Sequence, residues 1–231
     1  MSTSKTSETY NALKSNLLNG TFAPGEQLRI DAITSALEVS KGAVREALAR
    51  LTSDGLVDNT PQKGFVVAPV SAEDLIDLTE VRIELENRCL ELAIARGDLA
   101  WEGGVLSAYH MLSHTPLEAE HGGVNPAWTA RHDEFHDSLI SACESRWRLQ
   151  LRGVTYLQAE RYRRMTRPKM LESRDVDSEH KAIMEATLQR NARLACELMG
   201  RHLRTTMDLI LGSDLFGDDA PGPERRATLK A

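Results

Sequence analysis

The chain has 231 residues, of which 41% are hydrophobic and 27% charged, and its formal net charge is −6; this composition is typical of globular proteins and excludes wholesale disorder. Its three cysteines, Cys89, Cys143 and Cys196, are far apart, so neither a disulfide framework nor a zinc knuckle is indicated. It has no run of about 18 apolar residues and no hydrophobic signal core near its start, so the sequence predicts a cytoplasmic protein.

Residues 1–70 have the pattern of a small helical domain that ends in a hairpin. Apolar residues at helical spacing predict helices near residues 7–18 and 30–37. A third helix follows in "KGAVREALARLTSDG", with Ser40 placed as its N-cap. "LVDNTPQKGFVVAPV" then gives two short β-prone runs around a turn. Three helices and a hairpin predict an N-terminal winged helix-turn-helix.

A winged helix-turn-helix binds DNA with its third helix and its hairpin. The first side chains of that helix reach base edges in the major groove, and other basic residues contact phosphates. Residues 1–70 contain seven basic and seven acidic residues, so DNA binding requires the basic ones to gather on one face. The alternative is that they are ordinary solvated charges. The predicted DNA contacts are Lys41, Arg45, Arg50, Lys63 and Gly64.

From Ser71 onward the sequence predicts helices and no strands. "SAEDL" carries a Ser-x-x-Asp capping signature. An all-α bundle is therefore predicted over residues 71–212. The Gly/Pro/charge-rich remainder, residues 213–231, is predicted to be disordered. The predicted helices of the bundle lie near residues 72–96, 99–113, 127–143, 146–166, 178–189 and 192–211.

Four of the seven histidines lie on apolar helix faces that point into this bundle. His132 and His136 are one turn apart, a spacing that lets two imidazoles bind one metal ion. His180 and His202 are equally far from Asn191, in the turn between the last two helices, so an antiparallel hairpin brings them to the same height. The sequence therefore predicts a tetrad of histidines inside the bundle.

Three interpretations of this tetrad are open. A metal-centred binding pocket is favoured, with Zn²⁺ as the expected ion and Ni²⁺ or another transition metal as alternatives. A polar core without metal is the second. The third is a metalloenzyme acting on a small carboxylate, but "HDEFH" is not the HExxH pattern of zinc proteases, and Glu134 lies off the histidine face. We therefore predict no catalytic residues.

Two arginines indicate what such a pocket would bind. Arg82 and Arg161 each lie in line with apolar residues, where an unpaired guanidinium is costly. Each therefore needs an anion. The anion is either a bound carboxylate or an intramolecular partner such as Glu84, Glu86 or Glu160, and the sequence leaves both options open.

The order of the motifs along the chain matches that of a known protein family. "GTFAPGEQL", "VSKGAVREALARLTSDGLV" and "QKGFVVAPVSAEDL", followed by "VRIELE", "FHDSLISAC", "ERYRR", "EHKAI" and "ELMGRHL", resemble the GntR family of bacterial transcription regulators, in the branch with an FCD effector domain. The resemblance covers about residues 8–211. It implies a homodimeric repressor with two winged helices on a palindromic operator. Ser40, Lys41 and Arg45 would form the recognition segment, and Lys63 and Gly64 the wing.

The same resemblance implies an organic acid bound beside a metal ion in the bundle. The implied metal ligands are His136, His180 and His202. The fourth ligand in the family is usually Asp or Asn one turn before the first histidine; here His132 takes that position, and a neutral imidazole can also bind zinc or nickel. A narrower resemblance within the branch, to a glutarate-responsive repressor, implies a small dicarboxylate such as glutarate as the effector.

Overall fold

The computed structural model describes residues 5–170 and 174–219. The first part of the chain forms three helices and a two-stranded hairpin. The second part is helical within the described ranges. The elements in chain order are α1 Lys5–Leu18, α2 Ile30–Leu37, α3 Lys41–Ser53, β1 Val57–Thr60, β2 Gly64–Val67, α4 Ala72–Arg96, α5 Leu99–Ser113, α6 Pro126–Ile140, α7 Arg146–Met170, α8 Val176–Leu188 and α9 Ala192–Leu211. This mainly α architecture agrees with the prediction from sequence.

The N-terminal unit is a winged helix-turn-helix. Its helices close over an apolar core to which α3 contributes Val44, Leu48 and Leu51, each without exposed surface. The Ser40 hydroxyl accepts a hydrogen bond from the Ala43 backbone N–H at 3.2 Å, which satisfies one of the free amides at the start of α3. Strands β1 and β2 pair antiparallel. Gly64, with φ of +70°, allows the tight turn at the hairpin tip.

The helical bundle is arranged around α4. This 25-residue helix packs against α7 and α9, while α5 packs on α6 and α8 packs on α9. Its main apolar core is built from buried residues of α4, α5, α6, α8 and α9, and Leu149 of α7 packs against it. Three helices carry the inward histidines: α8 packs directly on α9, and α6 packs on α4 and α5.

The structure differs from the sequence prediction at several helix ends. Helix α6 ends at Ile140, and a short 3-10 helix, Ser141–Cys143, replaces its predicted last turn. Helix α7 continues to Met170 rather than ending near residue 166. Another 3-10 helix, Asp214–Asp219, begins where a disordered tail was predicted. That prediction is wrong for this segment, because Leu215 packs on the apolar cluster of α4, α7 and α9. Residues 220–231 lie outside the described residues.

Helix α7 joins the bundle to the DNA-binding unit. The Gln158 side-chain amide donates to the Asp54 carbonyl at 2.6 Å, and Arg164 Nη1 donates to Asn19 Oδ1 at 3.2 Å. The Arg161 guanidinium donates to the backbone carbonyl of Ala68. These contacts tie one segment of α7 to three parts of the N-terminal unit. None of the described helices has the length and apolar character that a membrane crossing requires.

Replacing Gly97 with alanine should destabilise the bundle. A Cβ at this position would lie 2.1 Å from Trp101 Cε3. The indole is buried, and its N–H donates to the Ser138 carbonyl at 3.0 Å, so the ring cannot move without losing this link to α6. We expect Gly97→Ala to lower the free energy of unfolding by about 1–3 kcal/mol, measured by urea denaturation.

Gly104→Ala is the matched control for this prediction. Gly104 lies in the middle of α5 with open space around its Cβ position. We expect this change to raise stability by up to about 1 kcal/mol, since alanine is the better helix former. A Gly97→Ala protein as stable as the wild type would contradict the tight packing at Trp101.

Candidate DNA-binding surface and histidine centre

Four of the seven basic residues of the N-terminal unit gather on one concave surface. Arg29, Lys41, Arg45, Lys63 and Gly64 line a groove between the start of α3 and the hairpin. All five are exposed. The sequence required such a gathering if the unit binds DNA, and the structure shows it.

Arg29 was missed in the sequence analysis. It reaches the groove because the segment before α2 pairs with the hairpin: the Leu28 N–H donates to the Phe65 carbonyl at 2.8 Å, and Gln27 Nε2 donates to the Lys63 carbonyl at 2.6 Å. This pairing joins residues more than 35 positions apart. Local periodicity contains no signal for it.

Two of the predicted DNA contacts, Lys41 and Arg50, have different neighbouring side chains. Lys41 Nζ lies 2.6 Å from Asp31 Oδ1, with both side chains largely exposed. Such a surface pair is weak and leaves the lysine free to exchange partners. Arg50 does not line the groove; its guanidinium lies 4.2 Å from the centre of the Tyr10 ring. The phosphate contact of Arg50 stays a prediction, and this exposed residue would make it from outside the groove.

The four inward histidines meet inside the bundle. Helix α6 supplies His132 and His136, α8 supplies His180, and α9 supplies His202. One ring nitrogen from each lies within 4.8 Å of the others, and all four side chains are buried. The ring centres of His180 and His202 are 4.8 Å apart, so the predicted pairing across the α8–α9 hairpin is confirmed.

The electrostatics of this centre favour neutral imidazoles. Burial lowers the pKa of His132, His136 and His180 well below the ordinary value, and nearby positive groups act in the same direction. Burial also lowers the pKa of His202 to about 4, although a hydrogen bond with Glu179 opposes the shift. Each ring therefore keeps one nitrogen lone pair at neutral pH, which is the form that binds metals.

The hydrogen bonding of the centre fits a metal ion. His136 Nδ1 and His180 Nε2 have no hydrogen-bond partner among the described residues, although both are buried. Ligands that share one ion lie on the order of 3–4 Å apart, because a Zn–N bond is about 2.1 Å long. His132 Nε2 and His136 Nε2 are 3.2 Å apart. Four imidazole nitrogens suit zinc, nickel or another transition metal.

Charged side chains surround two of the histidines. Arg163 Nη1 lies 3.0 Å from His132 Nδ1. Glu179 Oε2 lies 2.8 Å from His202 Nδ1, and Arg174 forms an ion pair with Glu179. Burial by itself raises the pKa of Glu179, but its bonds with His202 and Arg174 lower the value to about 2, so this carboxylate is ionised at neutral pH. Sequence reasoning missed Arg163, Arg174 and Glu179 because each reaches its histidine from another part of the chain.

Arginines also line one side of the centre. Arg82 and Arg163 border a small cavity of about 30 Å³ together with His132, His136 and His202. Glu86, which is fully buried, lies 3.5 Å from Arg82 Nε and 3.0 Å from Arg152 Nε. The intramolecular partner that the sequence offered for Arg82 is thus present. It is shared with Arg152, which also pairs with Asp137.

Arg161 is not part of this cavity. Its guanidinium donates to the Ala68 and Pro69 carbonyls, between the bundle and the winged unit. The expectation that it contributes to the ligand pocket is therefore wrong. The sequence pattern located the residue on a buried stripe correctly, but it could not show that backbone carbonyls would supply the partner.

Together, a winged helix-turn-helix with a basic groove and a helical bundle with a buried polar centre define a transcription regulator that binds DNA and senses a ligand. Family models agree: residues 5–67 match "Bacterial regulatory proteins, gntR family" and residues 77–205 match the "FCD domain". The chain belongs to the GntR family, in the branch with an FCD effector-binding domain. Regulators of this family bind operator DNA, and the expectation that the chain is not an enzyme is confirmed.

Relatives of similar length support this assignment. The chain is 37% identical over 204 residues to an uncharacterized HTH-type transcriptional regulator, BphR, from Paraburkholderia xenovorans, covering 87% of this chain and 83% of BphR. It is 35% identical over 207 residues to the HTH-type transcriptional repressor GlaR from Escherichia coli, covering 87% and 93%. A solved structure from Rhodococcus sp. RHA1, described as a GntR transcriptional regulator, superposes with a TM-score of 0.68 at 25% identity, covering 91% of this chain and 99% of that one.

The groove predicts which arginines matter for DNA binding. We expect Arg45→Ala to weaken specific operator binding by about 1–3 kcal/mol, the usual contribution of a good base contact. Arg29→Ala should weaken it on the operator and on scrambled DNA alike, as loss of a phosphate contact does. Arg50→Ala, outside the groove, serves as the control and should leave binding close to wild type.

Fluorescence anisotropy at one fixed salt concentration measures these affinities. The operator is first located by footprinting the region upstream of the gene. Wild-type operator affinity in Arg45→Ala would remove α3 from its assigned role in recognition.

Proposed function

We propose that this protein is a repressor whose operator affinity is controlled by a small carboxylate bound beside a metal ion in the helical bundle. The observation that carries the proposal is the group of four buried, neutral imidazoles bordered by Arg82 and Arg163. The relative GlaR is named a repressor, which supports the direction of regulation. The segments "WTARHDEFHDSLISACES" and "AERYRR" resemble the glutarate-responsive repressor CsiR, which supports glutarate as the first acid to test.

The charge at the centre calls for an anionic ligand. His132, His136, His180 and His202 are neutral and would hold the metal ion. A bound divalent ion would supply positive charge and a coordination position for a carboxylate oxygen. Neutral ligands leave that charge uncompensated in a buried site, which is costly. Arg82 faces the same cavity, and its contact with Glu86 is long at 3.5 Å, so its guanidinium could also hold the second carboxylate of a dicarboxylate.

The small size of the cavity links ligand binding to movement. A volume of about 30 Å³ has room for about one water molecule. A five-carbon diacid therefore requires the surrounding helices to separate. Because α7 contributes Arg163 to the cavity wall and also contacts the DNA-binding unit, this separation would move the winged helix.

A homodimer would let two winged helices bind a palindromic operator. Trp147, Leu151 and Val154 are spaced along one face of α7 and are 67%, 53% and 46% exposed. Large apolar side chains grouped on a surface mark an interaction site. We assign this face to contact with a second copy of the chain, since regulators of this family are typically dimeric.

A regulator with a polar core free of metal is the second candidate. It is favoured by the contact between His132 Nε2 and His136 Nε2, because 3.2 Å also fits a hydrogen bond between two neutral imidazoles. Such a protein would bind the acid through its arginines. It would not require a metal ion for that binding.

Metal analysis and glutarate titration separate the two candidates. We expect the purified protein to contain about one divalent ion per chain, and His136→Ala and His180→Ala to lose it, because each removes a ligand from the buried centre. Calorimetry should show glutarate binding to the wild type and at least tenfold weaker binding to both variants. The control is His110→Ala, since His110 is an exposed residue of α5.

Each result has a distinct meaning. Metal-free wild-type protein that binds glutarate normally would favour the second candidate. Unchanged metal content in His136→Ala and His180→Ala would contradict the histidine site. Footprinting of the operator with added glutarate tests regulation separately, with weaker protection expected.

The dimer surface is tested by placing charge on it. We expect Trp147→Asp combined with Leu151→Asp to give a monomer in sedimentation velocity, because the two carboxylates would be buried in the interface. Val81→Asp on the exposed side of α4 tests whether the interface extends to that helix. A dimer that persists in the Trp147/Leu151 double variant would place the contact elsewhere.

A further inference from the structure

We infer that Glu179, held by Arg174, is a positioning residue that fixes His202 in the tautomer required for metal binding. The inference rests on the proposed metal centre and adds residues to it that are not themselves ligands. Glu179 precedes the ligand His180 on α8, and it reaches across to His202 on α9.

The contact between Glu179 and His202 determines which nitrogen is protonated. Glu179 Oε2 lies 2.8 Å from His202 Nδ1. A carboxylate can only accept hydrogen bonds, so the imidazole must donate, and Nδ1 carries the proton. Arg174 Nη2 also lies 3.0 Å from this Nδ1, but its two protons are already donated to Glu179 Oε2 and to the His202 carbonyl. The lone pair of His202 is then on Nε2. An imidazole in the other tautomer would direct a lone pair at the carboxylate and would lose this bond.

Arg174 holds the carboxylate in place. Its Nε donates to Glu179 Oε1 at 2.6 Å, and its Nη2 forms the second ion-pair contact with Oε2. The same guanidinium donates to Thr206 Oγ1 at 2.7 Å and to the His202 carbonyl at 2.8 Å, so it is fixed to α9. The Arg174 side chain is 7% exposed and that of Glu179 is 31% exposed, so the clamp between α8 and α9 is half-buried.

Among the residues that the structure describes, the other three histidines have no carboxylate at hydrogen-bond distance, although Asp133 Oδ1 lies 3.6 Å from His132 Nδ1. His136 and His180 each have a nitrogen without a hydrogen-bond partner among the described residues, and His132 faces the guanidinium of Arg163. A carboxylate on the far nitrogen orients a metal-binding imidazole and makes it a stronger ligand. Of the four histidines, His202 is therefore the one whose orientation and tautomer are fixed in the metal-free protein.

Zinc affinity of Glu179 variants tests the inference. We expect Glu179→Leu to lower Zn²⁺ affinity by about 10–100-fold in competition with a chromophoric chelator, the usual effect of removing such a partner. Glu179→Gln should restore much of the affinity, because its amide oxygen still accepts from Nδ1. The control is Glu185→Leu, an exposed glutamate on the same helix.

The tautomer itself can be read by NMR. In metal-free protein with ¹⁵N-labelled histidine, long-range ¹H–¹⁵N correlations should show His202 protonated on Nδ1 in the wild type and in Glu179→Gln. Glu179→Leu should show a mixture of both tautomers. The signals are assigned with His202→Gln, and Glu179→Asp replaces the leucine variant if that variant does not fold.

The outcomes separate this inference from the proposed metal centre. Wild-type protein that binds no Zn²⁺ overturns the metal centre and the inference with it. Wild-type protein that binds Zn²⁺ overturns the inference alone if Glu179→Leu has unchanged affinity, or if His202 is protonated on Nε2.

Discussion

The burial of polar side chains at the centre of a helical bundle is the constraint on which the rest of this structure depends. Four imidazoles take the place of apolar core residues. Each of their buried nitrogens needs a partner, which is either a hydrogen-bonding group or a metal ion. The surrounding charges follow from that need. Arg163 faces His132, Glu179 faces His202, and Glu86 compensates Arg82 from within the same helix. An apolar core of the same helices would need none of these charged neighbours.

Sequence periodicity was sufficient for much of this arrangement, because helical spacing fixes which side of a helix a residue faces. It predicted the inward direction of the histidines, the level pairing of His180 with His202 and the cap at Ser40. It failed where a partner lies far away in the chain. Arg161 finds backbone carbonyls near residue 68, and Arg29 reaches the DNA groove through pairing with the hairpin. No local pattern contains these contacts, because they depend on how separate elements pack.

The distribution of charge explains how an acidic chain can bind DNA. The net charge of −6 belongs to residues after 70, whereas the winged unit is neutral and gathers four of its seven basic residues in one groove. A DNA phosphate backbone is attracted to that groove and repelled by the acidic bundle. The charge pattern thus orients the protein on DNA before any base is contacted. Total charge alone would have led to the wrong functional class.

One segment of α7, residues 158–164, contacts both the histidine centre and the winged unit through different side chains. Glu160 and Arg163 belong to the ion pairs beside the histidines, while Gln158, Arg161 and Arg164 hold the winged unit. The backbone between them is continuous helix. In a genetic screen, substitutions in this segment of α7 should therefore affect effector response and DNA binding together. In the proposed effector-controlled repressor, a substitution in this stretch that changes the effector response is expected to alter the attachment of the winged unit as well, so effector response and operator occupancy have to be scored together for every allele.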